Sequence, residues 1–235
     1  MNNKIKAAVF SFTKRGKELG KKVAAFLQSV DYAPILWTLP KYADDVDEAC
    51  LNNAEVIALG YPCDYHKIVA EAMVECQALI FIGATGICIR AIAPHLRDKT
   101  VDPAIISLDE RANFVIPLIA GHIGGANEMA RQLAEAIGAT PCVTTATDVN
   151  GLFAVDEWAA RNKLTIGSMK AAKAVATALV NGENVGVVKD DNIAITGALP
   201  KQVVLGEEPA VGMAISVYDN VLPYETTLQL FPKIV

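Results

Sequence analysis

Residues 78–82 read Ala-Leu-Ile-Phe-Ile, five apolar side chains in a row between two helical stretches. A strand without polar alternation is buried on both faces, and this requires a parallel sheet with helices above and below it. The pattern recurs. Lys4–Phe12, Ala33–Leu39 and Val56–Gly60 are strand candidates, with helices expected at Thr13–Val30, Asp44–Asn52 and Tyr65–Gln77. In the first helix Leu19, Val23, Phe26, Leu27 and Val30 share one face, and Thr13 is placed to cap it. Gly60 and Gly83 each close an apolar strand, and a helix is expected from Ile87 to Leu96. Ala104–Asp109 and Phe114–Ile119 flank the polar turn Glu110–Asn113, which predicts a hairpin. A long helix follows at Gly125–Ile137 with Gly138 as its C-cap, then a strand at Pro141–Thr145. The expected class is α/β: an open, mostly parallel sheet with helices on both faces.

The texture changes after Asp148. Helices near Phe153–Asn162 and Ser168–Asn181 precede short strands at Val185–Lys189, Asn192–Thr196, Gln202–Leu205 and Val211–Val217. This predicts a smaller α+β domain, with boundaries at 1–148 and 149–235. Leu228–Val235 reads as a further strand, tucked into a sheet or leading into another module.

Composition narrows the function classes. The chain has 235 residues, 52% apolar and 20% charged, which suits a buried core and not a disordered tail. A net charge of −5 argues against a nucleic-acid partner. The basic group Lys14, Arg15, Lys17, Lys21 and Lys22 falls on one amphipathic helix and reads as a solvated face. No apolar run approaches the roughly 18 residues of a membrane span, and Ala7–Phe12 is broken by Ser11 and followed by no cleavage-site pattern. The chain is therefore expected to be cytoplasmic, with no membrane partner. Five cysteines without a CxxC pair read as free thiols, and Cys63 with His66 lacks a second ligand pair, so no metal site is expected.

Three segments carry candidate chemistry. Gly83–Arg90 is a strand, a glycine-bracketed turn and a helix start, whose amides attract anions and whose Arg90 is suited to a carboxylate. The alternative is a plain tight turn, since neither a GxGxxG fingerprint nor a P-loop is present. Gly121–Glu128 surrounds His122 with glycines at the mouth of the long helix. His122 there suits a general base with its pKa lowered by the helix N-terminus, and the Gly124 and Gly125 amides suit an oxyanion; the alternative is a helix cap. Thr144–Asp148 places three hydroxyls and a carboxylate after an apolar strand, where open parallel sheets bind ligands; an N-cap is the alternative. Asp109, at the hairpin tip, is either a solvated turn residue or an orienting partner of His122.

From Phe81 to Trp158 the motifs G-x-x-G-I-x-x-R, A-P, K-x-x-D-P-A, G-H-x-G-G-A-N and T-T-x-x-D follow in order. In order and spacing they resemble the cobalt-precorrin-5A hydrolase (CbiG) family of anaerobic cobalamin biosynthesis, and a looser similarity extends to Val235. The resemblance implies opening of a δ-lactone on a cobalt-containing corrinoid precursor, with release of acetaldehyde to give cobalt-precorrin-5B. It implies no nucleotide or redox cofactor, because the cobalt belongs to the substrate. His122 and Asp148 are then the catalytic candidates. Gly83, Thr85, Gly86, Arg90, Gly121, Gly124, Gly125, Asn127, Thr144 and Thr145 are the substrate-binding ones, converging on one polyanion pocket. Members of the family often carry a further C-terminal domain after a segment like that at Leu230–Lys233. Its absence here implies that a separate chain supplies it or that this is a shorter variant, with a non-catalytic corrinoid-binding or carrier module as the alternative function; the expected protein partner is that separate C-terminal domain or, in a homo-oligomer, a second copy of this chain.

Overall fold

In a computed structural model, which describes residues 5–43, 55–58, 65–149, 151, 153–206, 209–219, 222 and 224–233, the apolar runs become strands of one seven-stranded sheet. The chain order is β1 (Ile5–Ser11), α1 (Lys14–Ser29), β2 (Tyr32–Thr38), α2 (Pro40–Ala43), β3 (Glu55–Ala58), α3 (Tyr65–Glu75), β4 (Ala78–Ile82), α4 (Thr85–Ile92), β5 (Ala104–Leu108), β6 (Phe114–Ile119), α5 (Ala126–Ile137) and β7 (Thr140–Pro141). In space the strands lie β3-β2-β1-β4-β5-β6-β7. The first five are mutually parallel, and β6 turns back antiparallel to β5 as the hairpin pattern predicts. The helix expected at Asp44–Asn52, and Gly60, lie outside the described residues.

Strand alternation sorts the core into two layers. Val9, Ile80, Ile82, Ile106 and Leu108 face α1 and α5, while Phe10, Leu79, Phe81 and Ile105 face α3 and α4. Every one of these is buried, and each stabilises the fold by about 1.5–3 kcal/mol relative to exposure. Thr13 caps α1 as expected, its hydroxyl accepting from the Gly16 amide at 2.9 Å. Gly20 lets α1 lie close on the sheet, since a Cβ there would come within 2.7 Å of Leu36. The basic face of α1 is not wholly solvated, however. Lys17 is 1% exposed, and its ammonium donates to the Tyr42 carbonyl at 2.9 Å. A long aliphatic stem can lie against the packed interior when its charged end finds polar partners.

Contacts divide the chain into two units, Met1–Val143 and Thr144–Val235. Thr144–Asp148, which the sequence reading leaves in the first domain, group with the second unit. The strand expected at Pro141–Thr145 shrinks to the two residues of β7, because the chain turns into a short helix, α6 (Ala146–Val149). Then come α7 (Val155–Arg161), β8 (Leu164–Ile166), α8 (Met169–Val180), β9 (Val185–Lys189), β10 (Val203–Leu205), β11 (Val211–Ile215) and β12 (Thr226–Pro232). Their sheet runs β10-β9-β11-β12-β8, parallel except where β12 meets β8. The terminal strand expected from Leu228 is β12, inside the sheet. The strand expected at Asn192–Thr196 does not form. Thr196 instead gives its amide to the Asn162 carboxamide at 2.6 Å and takes a bond from it at 3.1 Å, so a side chain satisfies the backbone groups a ladder would use. Tyr224 lies across Gly186 and Gly212, register partners on β9 and β11, at both of which a Cβ would collide with its ring.

Candidate functional site

The two glycine loops of the first unit leave the sheet at opposite ends. The Gly83 amide donates to the carbonyl of Leu108, the last residue of β5, at 2.8 Å. A Cβ on Gly124 would lie 3.5 Å from the amide of Ala104, the first residue of β5. The register agrees, pairing Ile82 with Leu108 at one end and Ile105 with Ile119 near the other. Five strand residues separate the loops by roughly 13 Å. Their helices also lie on opposite faces: α4 packs with the Phe10 layer and α5 with the Val9 layer. This overturns the expectation of one pocket uniting Gly83, Thr85, Gly86 and Arg90 with Gly121, His122, Gly124, Gly125 and Asn127. The cause is β6. A helix that follows a parallel strand starts at the carboxyl edge of the sheet, but the hairpin carries the chain back to the amino edge before α5 begins.

At the carboxyl edge, the β1–α1 and β4–α4 turns flank the point where strand order reverses, the usual ligand position in such sheets. No side chain caps α4 at Ala84. The Thr85 hydroxyl instead bonds that of Ser107 at 3.1 Å, and the Thr13 hydroxyl donates to Glu110 at 2.7 Å. Arg90 folds back onto its own helix, donating to the Gly86 carbonyl at 3.2 Å. The Glu110 carboxylate makes this edge less suited to an anion than the sequence suggests. Ser107, missed in the sequence, is visible there as the single polar side chain in the run Ala104–Leu108. Asp109 accepts from the amides of Arg111 and Phe114 and from the Asn113 carboxamide, at 2.9, 2.8 and 3.0 Å. It holds the hairpin tip, at the far end of β5 from His122, and does not orient the imidazole.

At the amino edge, Ala120 and Gly125 adopt left-handed backbone, φ 56° and 79°, on either side of His122. The strained Ala120 conformation costs about 1–2 kcal/mol, and strain of this kind concentrates at functional sites. Three carbonyls of the loop capture the first amides of α5: Ala120 that of Ala126 at 3.1 Å, Gly121 that of Asn127 at 3.0 Å and His122 that of Gly125 at 3.0 Å. The Gly125 amide is therefore committed within the loop, which removes it as an oxyanion donor. Asn127 is buried beneath Gly121, where a Cβ would come within 2.8 Å of its carboxamide oxygen. At Gly124 a Cβ would lie 2.5 Å from that of Ala120. Glycine is thus required at both positions, and the result is a closed loop presenting a half-buried His122.

In the second unit the Thr145 hydroxyl donates to the Asp148 carboxylate across the first turn of α6. This bond joins the two side chains, Thr145 just before α6 and Asp148 three places on. Asp148 does not cap the helix after Phe153, which begins behind Ala154 with no side-chain cap. Thr144 is exposed. Burial pushes the Cys88 thiol up to about 12 and that of Cys76 to about 11, which keeps both protonated at neutral pH. Cys63, the possible metal partner of His66, lies outside the described residues.

The motif-bearing segment has known counterparts. Residues 67–148 match the family described as cobalamin synthesis G N-terminal, and residues 153–232 match the cobalamin biosynthesis central region. The chain belongs to the CbiG family. It is 37% identical to the cobalt-precorrin-5A hydrolase of Salmonella typhimurium, over 77% of this chain and 47% of that one. To the cobalt-precorrin-5A hydrolase of Priestia megaterium it is 30% identical, over 78% of this chain and 46% of the relative. The chain thus spans about half the length of these curated relatives. A crystal structure described as a cobalamin biosynthesis protein G homolog from Sulfolobus solfataricus shares the fold, with a TM-score of 0.55 and 20% identity over 96% of this chain and 60% of that one. No helix among the described residues is long and apolar enough to cross a membrane.

Proposed function

We propose that this CbiG-family chain hydrolyses the δ-lactone of cobalt-precorrin-5A and releases acetaldehyde, with His122 as the base. The observation that supports it best is the His122 loop. It is closed by its own backbone, leaves no open space for a side chain at 121 or 124, and carries a half-buried histidine.

In this reading His122 takes a proton from water as the water oxygen adds to the lactone carbonyl. The tetrahedral oxyanion then collapses, the ring C–O bond breaks, and the leaving alkoxide recovers the proton. The Gly124 amide is the remaining glycine donor for the oxyanion, Gly125 being committed. The freed hydroxyl next loses its proton to His122, which is neutral again once the alkoxide has been protonated. The adjacent C–C bond breaks, acetaldehyde departs, and the electron pair remains on the macrocycle. Within the second unit taken by itself, Thr145 holds the Asp148 carboxylate. Asn127 and Gly121 act through the loop without touching substrate. Gly83, Thr85, Gly86 and Arg90 are left out of this site.

The test is acetaldehyde release from cobalt-precorrin-5A under anaerobic conditions, followed with an NADH-linked alcohol dehydrogenase. Release that disappears in His122→Ala supports the reading. Tight binding of the precursor without release would favour the corrinoid-carrier alternative, and neither binding nor release would refute both.

A further inference from the structure

A cavity of about 460 Å³ lies in the first unit between β2 and α3 and extends to Gln28 near the end of α1. Its size falls within the range of small-molecule sites. It is separate from the His122 loop, none of whose residues line it. Ala33, Ile35 and Trp37 of β2 contribute one side of it, and Ile68 and Ala72 of α3 the other.

Its polar groups are biased toward acceptors. The carboxylates of Glu71 and Glu75 line it with a single ammonium, that of Lys6, which is paired to Glu75 at 2.9 Å. Lys67 stands 4.0 Å from Glu71 and is not among the lining residues. Gln28 also lines the cavity, and its buried carboxamide oxygen has no hydrogen-bond partner among the described residues. A buried acceptor normally has a donor. Trp37, on the α3 side of β2, is in the same lining, and an indole face attracts cations.

We infer that this cavity binds a small organic ammonium ion with a flat apolar body. The apolar part packs between Ile35, Trp37 and Ile68. The N–H groups face the Gln28 oxygen and the Glu71 and Glu75 carboxylates. An anion of the same shape would meet a net negative rim and an acceptor it cannot satisfy. The inference is independent of the hydrolase reading, since it uses none of the residues proposed for catalysis.

The test is isothermal titration of the whole chain with phenethylammonium chloride, 3-phenylpropionate and 2-phenylethanol, which share one ring and differ in the end group. Phenethylammonium should bind at least tenfold tighter than either of the others and should change the emission of Trp37. Glu71→Gln with Glu75→Gln, both exposed positions, should weaken it about tenfold and Gln28→Leu by a similar factor. Ala33→Trp, which fills the cavity, should abolish binding. If that variant does not fold, the two Glu→Gln changes decide the matter, since they replace exposed side chains. Equal affinity for the three probes, affinity unchanged in the Glu→Gln variant, or no binding at millimolar concentration would overturn the inference. The acetaldehyde assay is unaffected by any of these outcomes.

Discussion

Gly124→Ala asks whether the shape of the His122 loop matters. The new methyl group would stand 2.5 Å from the Ala120 Cβ and 3.0 Å from the Ala120 carbonyl oxygen. Ordinary carbon contacts begin near 3.5 Å, so the two segments must separate by about 1 Å. Ala120 cannot yield without loss, because its backbone is already left-handed and its carbonyl holds the Ala126 amide at 3.1 Å. The strain should reduce stability by about 1–3 kcal/mol, the usual result of overfilling a packed site. The unit should still fold, since the core layers are untouched. Displacing a catalytic group by about 1 Å costs roughly 10²-fold in rate, and that is the expected fall in acetaldehyde release.

The control lies at the other end of the same helix. Gly138 has φ 72°, and a Cβ there would meet nothing within 4 Å. Gly138→Ala therefore costs about 1–2 kcal/mol through backbone conformation alone and leaves the loop in place. Urea unfolding followed by circular dichroism should show both variants destabilised, whereas only Gly124→Ala should lose activity. A Gly124→Ala protein that keeps more than half the wild-type rate, or a Gly138→Ala protein that loses as much, would remove the loop from the mechanism.

Four further outcomes are expected. His122→Ala should slow turnover by roughly 10²–10⁴ while leaving the far-ultraviolet spectrum unchanged; an unaltered rate would assign the base to another group. Gly212→Ala should force Tyr224 off the sheet and destabilise the second unit by about 1–3 kcal/mol, readable as a lower urea midpoint and increased tyrosine exposure. Asp109→Ala should reduce stability by about 1–2 kcal/mol through loss of its hairpin bonds without affecting catalysis, whereas lost activity with intact stability would restore it as a partner of His122. Cys88 favours the folded state only while protonated, so its contribution is intact below the ordinary thiol value of 9.0 and declines as pH rises toward about 12. Urea midpoints at pH 8 and pH 10 should therefore differ more in the wild type than in Cys88→Ala.

Much of the fold is legible because strand burial leaves a local trace. Ala78–Ile82 is apolar at every position and becomes a central strand whose limits match the expectation. Thr13, Gly125, Gly138 and Ser168 mark helix ends through backbone requirements that single residues reveal. What fails is set by partners distant in sequence. Lys17 resembles its solvated neighbours until the Tyr42 carbonyl arrives beside it. Asn192–Thr196 has strand composition, but Asn162 takes its hydrogen bonds. At three residues, β8 is too short to show a period, and it pairs only because β12 offers an edge.

The candidate site shows the same division between local and distant causes. Each glycine loop is correctly recognised as a turn, because a turn is a property of a few residues. Their convergence is a property of topology, and one reversed strand decides it. Had β6 run parallel to β5, Gly121–Gly125 would have opened at the carboxyl edge beside Gly83. The antiparallel pairing of Ile105 with Ile119 sends it to the other end. The strand-reversal rule would place a ligand near Thr13, Gly83 and Glu110. There, however, the Thr85 and Thr13 hydroxyls are engaged by Ser107 and Glu110, and the guanidinium of Arg90 turns back to Gly86. The histidine loop, by contrast, closes through its own backbone hydrogen bonds and carries the half-buried His122. Under the proposed function, the hairpin and not the general rule for parallel sheets locates the chemistry. An active His122→Ala protein with an inactive Thr13→Val counterpart would reverse that order.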